Sequence, residues 1–169
     1  MTFNFWHRRF VEIASIASEM LNRTPNAITE VSGLANIAGR NVRARADRIW
    51  DGGVLDIKTG GAPTKSQLDN GNMPQLPLEA FMLKNGGFTL YTTDKSNKPI
   101  IQFLQLKSGD TRIIEYDSDQ TDFMINAAVN KVTELFNMYS VGRAPYKYLR
   151  TGEQKYKNFD DFARADERD

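Results

Sequence analysis

One stretch constrains this chain more than any other: residues 43–60, R-A-R-A-D-R-I-W-D-G-G-V-L-D-I-K-T-G. From 41 to 50 the pattern alternates, with Val42, Ala44 and Ala46 on one side and Arg43, Arg45 and Asp47 on the other. That is the period of a half-buried strand. Asp51-Gly52-Gly53 supplies a hairpin turn, and V-L-D-I-K-T reads as the strand that returns. Asp56 and Lys58, two apart, share a face with Val54, and Leu55 and Ile57 are expected toward the core. The hairpin brings Asp47 and Asp56 close together across the ladder.

The 169 residues suit one compact domain, expected over 1–169 with 140–169 as a C-terminal extension. Net charge is +1, so any nucleic-acid contact rests on a local patch. The first fifty residues do lean basic, with Arg8, Arg9, Arg23, Arg40, Arg43, Arg45 and Arg48 against Glu12, Glu19, Glu30 and Asp47. The chain has no cysteine, which excludes disulfides, thiolate zinc sites, cysteine nucleophiles and a cysteine-ligated iron–sulfur cluster. His7 is the one histidine, so a multi-histidine metal site within one chain is excluded. No apolar run approaches the roughly 20 residues of a membrane span, and the first residues lack a signal-peptide layout. A cytoplasmic protein with no membrane partner is the expectation.

Taken in order, residues 4–22 read as an amphipathic helix with Trp6, Phe10, Ile13, Ala17 and Met20/Leu21 as its apolar stripe. Pro25 ends it. Strands follow near 27–35, 41–50 and 54–59. The Gly-, Pro- and Asn-rich run 59–74 reads as a surface loop. A helix is predicted over 75–85, strands over 88–93, 99–107 and 112–115, and a second long helix over 118–139. A three-stranded meander, a crossover helix and a further strand give an α/β fold with a mixed central sheet flanked by helices.

The site chemistry follows from the residue types. Asp47 and Asp56 are hard oxygen ligands for Mg²⁺ or Mn²⁺, and the backbone carbonyl of Ile57 is a further candidate. Such a cation neutralises charge on a phosphodiester and activates water. Lys58 stands where it can orient water or stabilise charge on the phosphate. On the D-x-K pattern alone, a solvated Asp/Lys pair with no chemical role is the competing reading.

The runs A-D-R-I, V-L-D-I-K-T-G and P-T-K-S-Q-L-D-N-G-N-M-P-Q-L-P-L-E-A resemble the RecB-like branch of the PD-(D/E)xK nuclease superfamily. They are most similar to the C-terminal nuclease domains of AddB-type helicase–nuclease subunits, which act in double-strand break repair. N-G-G-F, F-L-Q-L-K-S-G and Y-x-x-F-D-D-F-A-R extend the likeness. The resemblance implies a restriction-endonuclease-like core and a metal-dependent DNA exonuclease. In it Asp47 and Asp56 are metal-binding acids, Lys58 is the catalytic lysine and Gln75 is the motif glutamine. DNA is the implied partner, with Arg43, Arg45 and Lys65 as candidate contacts. Glu79 stands where many relatives have tyrosine. The family's upstream histidine helix has no counterpart here, with His7 and Glu30 the candidate substitutes. That departure leaves open a catalytically impaired remnant that binds DNA or a partner. It also leaves open a helicase–nuclease subunit, or another chain, that supplies the missing motif helix. The helicase-like part is absent too, as in a shortened or split gene.

Overall fold

The structure is a computed structural model that describes residues 3–24, 26–89, 98–107 and 109–140. Among the described residues four helices flank one sheet. Helix α1 (Phe3–Arg23) precedes a meander of β1 (Ile28–Ile37), β2 (Arg40–Trp50) and β3 (Gly53–Lys58). The crossover holds α2 (Lys65–Asp69) and α3 (Gln75–Lys84), and β4 (Ile100–Lys107), β5 (Asp110–Tyr116) and α4 (Ser118–Ser140) complete it. Sheet order is β1-β2-β3-β4-β5, with β3 parallel to β4 and every other neighbouring pair antiparallel. This is the expected α/β fold with a mixed sheet and flanking helices. Residues 90–93 of the strand expected at 88–93, and the extension from 141, lie outside the described residues. Phe88 is buried and bridges to Gly33.

The two faces of the sheet are covered unequally. On one, Val31, Ala46, Ile49, Val54, Ile101 and Phe103 pack against Leu76, Ala80, Met82 and Leu83 of α3 and Met124 and Ile125 of α4. Helix α3 lies between the sheet and α4 and is buried nearly all round, as a helix without a polar face must be. On the other face Leu55 and Leu104 meet Met20 and Ile16 of α1. The stripe expected on α1 is corrected in part: Met20 is buried and Ile13 and Ala17 half-buried as expected, but Ile16 joins Met20 in the seam, while Phe10 and Leu21 are exposed. The physical reason is an anchor at the helix end. Arg48, buried on β2, donates to the Thr24 hydroxyl and carbonyl and so fixes how α1 is rotated on the sheet.

Two further expectations change. The run 59–74 is not all loop. Thr64 caps α2 through the Gln67 N–H, and the Gln67 side chain accepts from the Thr64 N–H, a reciprocal capping box. This lets Leu68 enter the core. Ile57 does not face a core either; it is 43% exposed. It shares the α1-side face with Leu55 but falls at the exposed end of β3.

The meander also contains an irregularity. Along β1, Val31 and Ala35 face the α3 side, and so does Ile28, three residues before Val31. Along β2, Val42, Ala44 and Ala46 face that side, and so does Ile49, three residues after Ala46. Each strand thus carries one extra residue, and pairing lapses where they meet: Thr29 pairs with Arg48 and Val31 with Ala46, while Glu30 and Asp47 are skipped. Glu30 sits at φ 57°, a left-handed conformation that costs a non-glycine residue about 1–3 kcal/mol. Because both strands gain a residue, register is kept on either side, and the alternation of side chains slips by one.

Candidate functional site

The slip decides where Asp47 goes. In an unbroken alternation it would follow Arg43 and Arg45 to the face away from α3. Instead its Oδ2 accepts the Ile57 N–H at 2.9 Å. The β2–β3 ladder ends at Arg48 and Leu55, one pair short of Asp47 and Asp56, so a side chain takes over the edge of the gap. In an extended strand the N–H and C=O of one residue point to the same neighbour. The Ile57 carbonyl therefore faces this gap beside Asp47.

Asp56 lies on the α3 side of β3 and is 3% exposed. The Lys58 ammonium straddles its carboxylate, 3.1 Å from Oδ1 and 2.9 Å from Oδ2. Only the first contact has hydrogen-bonding geometry, and Oδ2 is left buried without a donor. Gln75, in the first turn of α3, donates from Nε2 to Asp56 Oδ1 at 3.3 Å. The same amide lies 3.3 Å from Oε1 of Glu79, one turn on. Glu79 is 1% exposed, and its Oε2 likewise has no hydrogen-bond partner.

Burial pushes the Asp56 carboxyl above its usual range, opposed by Lys58 and reinforced by the charge on Asp47. Burial pushes Glu79 further, to about 8, with Gln75 opposing and Asp56 and Asp47 adding repulsion. Two carboxylates this close resist joint ionisation, so the site lacks positive charge that Lys58 alone does not supply.

Asp47, Asp56, Lys58, Ile57 and Gln75 are thus brought together. The basic candidates are not. Arg43 and Arg45 point to the face away from α3, and Arg45 is ion-paired with Glu30. Lys65 is held by Asp69 at 2.6 Å on α2. Glu30 does not substitute for the missing ligand, since its exposed carboxylate is engaged by Arg45. His7 is exposed on α1, which packs on the opposite face of the sheet. Glu79 gained no role from the sequence, yet the signal was there: one acid at i+4 from Gln75 on a helix that is otherwise apolar at 76–83.

A hard divalent cation fits this donor set. Among the described residues no three His, Cys, Asp or Glu side chains converge as a ready ligand cage. Mg²⁺ needs none; it commonly uses one or two carboxylates with waters and substrate phosphate. The orphaned Asp56 Oδ2 is the feature such an ion would satisfy.

Fold and site together define an α/β domain whose meander carries a buried acid, Asp56, with a half-buried acid, Asp47, and a lysine beside it. No protein-family model matches the chain. It is similar to the uncharacterised protein RT0391 of Rickettsia typhi, 44% identical over 62 residues that cover 32% of this chain and 7% of that protein. It is also similar to an uncharacterised protein of Rickettsia bellii, 25% identical over 143 residues, 61% of this chain and 17% of the relative. The chain therefore spans only a small part of the curated relatives it matches. The crystal structure of SSO0001 superposes with a TM-score of 0.45 at 20% identity, over 91% of this chain and 68% of that one. No helix among the described residues is long and apolar enough to cross a membrane.

Proposed function

We propose that this chain carries a RecB-like PD-(D/E)xK site and hydrolyses DNA phosphodiester bonds with Mg²⁺ or Mn²⁺, as an exonuclease related to recombinational break repair. The observation that carries the reading is Asp56. It is a buried carboxylate with an oxygen lacking any donor, touched by Lys58 two residues on and adjacent to Asp47 across a gap in the ladder. A solvated surface pair does not bury its acid in this way.

Asp47, Asp56 and the Ile57 carbonyl would hold the cation. Bound there, it supplies charge neutralisation at the phosphate and activation of water. The chain's own residues do the rest. Gln75 fixes the Asp56 carboxylate through Oδ1 and leaves Oδ2, which meets only the Lys58 ammonium, to coordinate. Lys58, partly exposed, holds its ammonium against the Asp56 carboxylate, where it would stabilise developing negative charge on a phosphate bound beside it. The Ile57 N–H holds Asp47 in place.

The test is degradation of linear double- and single-stranded DNA by the full chain in Mg²⁺ and Mn²⁺. Metal-dependent cleavage is expected, falling at least about 100-fold in Asp56→Ala and Lys58→Ala, the scale of removing a main electrostatic stabiliser. Cleavage that survives both variants contradicts the reading. Salt-sensitive DNA binding without turnover would put a DNA-binding module in its place.

A further inference from the structure

The ligand set just described leaves Glu79 unused. Its position is an unusual one for an acid, in a helix whose neighbours Leu76, Leu78, Ala80, Met82 and Leu83 are all buried. An ionisable group at such a place is costly unless it is paired. Its pairing is half made. Gln75 Nε2 serves Glu79 Oε1 and Asp56 Oδ1 together, at 3.3 Å each. Glu79 Oε2 and Asp56 Oδ2 remain buried with no donor. One amide thus joins two carboxyl groups; Glu79 keeps an oxygen that no donor meets, and the outer oxygen of Asp56 has only the Lys58 ammonium, 2.9 Å away. Gln75 is already shared and the Lys58 contact goes to Asp56, so neither supplies a donor to Glu79 Oε2. A hard cation accepts oxygen ligands from both sides.

We propose that Glu79 is a further metal-binding carboxylate of this site, placing part of the divalent-cation site on α3 as well as on the β2–β3 hairpin. The inference rests on the cation site of the nuclease reading and adds a ligand to it. It also gives the lone acid of α3 a chemical reason: an apolar residue would pack there, but would leave the cation one charge short.

Calorimetric titration of the full chain with Mn²⁺ tests this, with circular dichroism to confirm folding. Glu79→Gln keeps the shape and a polar contact for Gln75 while removing the anionic ligand. It is expected to weaken Mn²⁺ binding at least about tenfold, and Asp56→Asn to abolish it. Unchanged affinity in Glu79→Gln, with binding still lost in Asp56→Asn, overturns the role of Glu79 and leaves the hairpin site standing. Absence of Mn²⁺ binding in the wild-type chain overturns both. A Glu79→Leu variant gives a second check: it removes the acid but fills the space, so it separates lost coordination from a packing defect. Wild-type affinity in that variant contradicts the proposal.

Discussion

Among the described residues charge is buried in two places, and treated differently in each. On the α1 side of the sheet Arg48 is 8% exposed, and its guanidinium is met by Thr24: Nε and Nη2 reach the hydroxyl at 3.3 and 2.9 Å, and Nη2 the carbonyl at 3.0 Å. On the α3 side Asp56 and Glu79 share one amide and each leaves an oxygen without a donor. The first arrangement is self-sufficient and ties the end of α1 to the sheet. The second is incomplete from within the protein. A buried polar group that is satisfied serves the fold, and one that is not costs stability unless something else completes it.

The sharpest way to separate the two is to remove each. Arg48→Ala removes the donor to the Thr24 hydroxyl and one of the two donors to its carbonyl, leaving the Ala27 N–H, and frees the end of α1. It is expected to lower stability by about 3 kcal/mol in urea unfolding, with Mn²⁺ affinity unchanged. A loss of only a few tenths would deny Arg48 its structural role.

Glu79 gives the next largest effect, and it depends on pH. Its folded-state pKa is raised from 4.5 to about 8. Between those values the unfolded chain ionises while the folded one keeps its proton. The stability present below about pH 4.5 is therefore lost as pH rises toward 8, and Asp56 acts in the same direction. In metal-free buffer the loss is expected to be on the order of 3 kcal/mol, and Glu79→Gln to flatten the profile and be the more stable protein at pH 8. Parallel profiles for the two proteins would contradict an unbalanced buried acid.

Asp56→Asn, again without metal, should stabilise the chain by about 1 kcal/mol, since the buried charge disappears and Lys58 can turn to water. Destabilisation would mean that the Lys58 pair is itself structural. The smallest effect is expected at Glu30. Glu30→Gly tolerates the left-handed backbone and should change stability by less than about 1 kcal/mol. Glu30→Val opposes that conformation, and should lower Mn²⁺ affinity by displacing Asp47. Equal affinities in the two variants would separate the slip from the site.

How much of this could be read from the chain varies with the physics. The meander, the crossover helix and α4 were legible because burial imposes a period on apolar residues. Asp56, Lys58 and Gln75 were legible as a motif. The slip at Glu30 and Asp47 was not: when both strands gain a residue the pairing register is unchanged, and nothing in an alternating pattern marks which residue is the extra one. Asp47 therefore read as facing with Arg43 and Arg45, and only the structure turns it toward Ile57. Ile57 was misplaced because alternation says which side a residue takes, not whether α1 reaches far enough to cover it. Helix α2 was hidden by its Gly- and Asn-rich surroundings, although Thr64 and Gln67 carry the spacing of a capping box. Glu79, noted only as a departure from tyrosine, gains no role from the sequence because a charge on a helix is ordinarily solvated, and this helix has α4 on the side where water would be.

A divalent cation is proposed to complete the unsatisfied carboxylates. The most direct test is the thermal unfolding of the wild-type chain at pH 8, in EDTA and in saturating Mn²⁺. A ligand that binds only the folded state stabilises it, and a rise in Tm of roughly 3–8 °C is expected for a domain of this size, absent in Asp56→Asn. An unchanged Tm at ~10 mM Mn²⁺, above the usual range of protein–metal affinities, would contradict it.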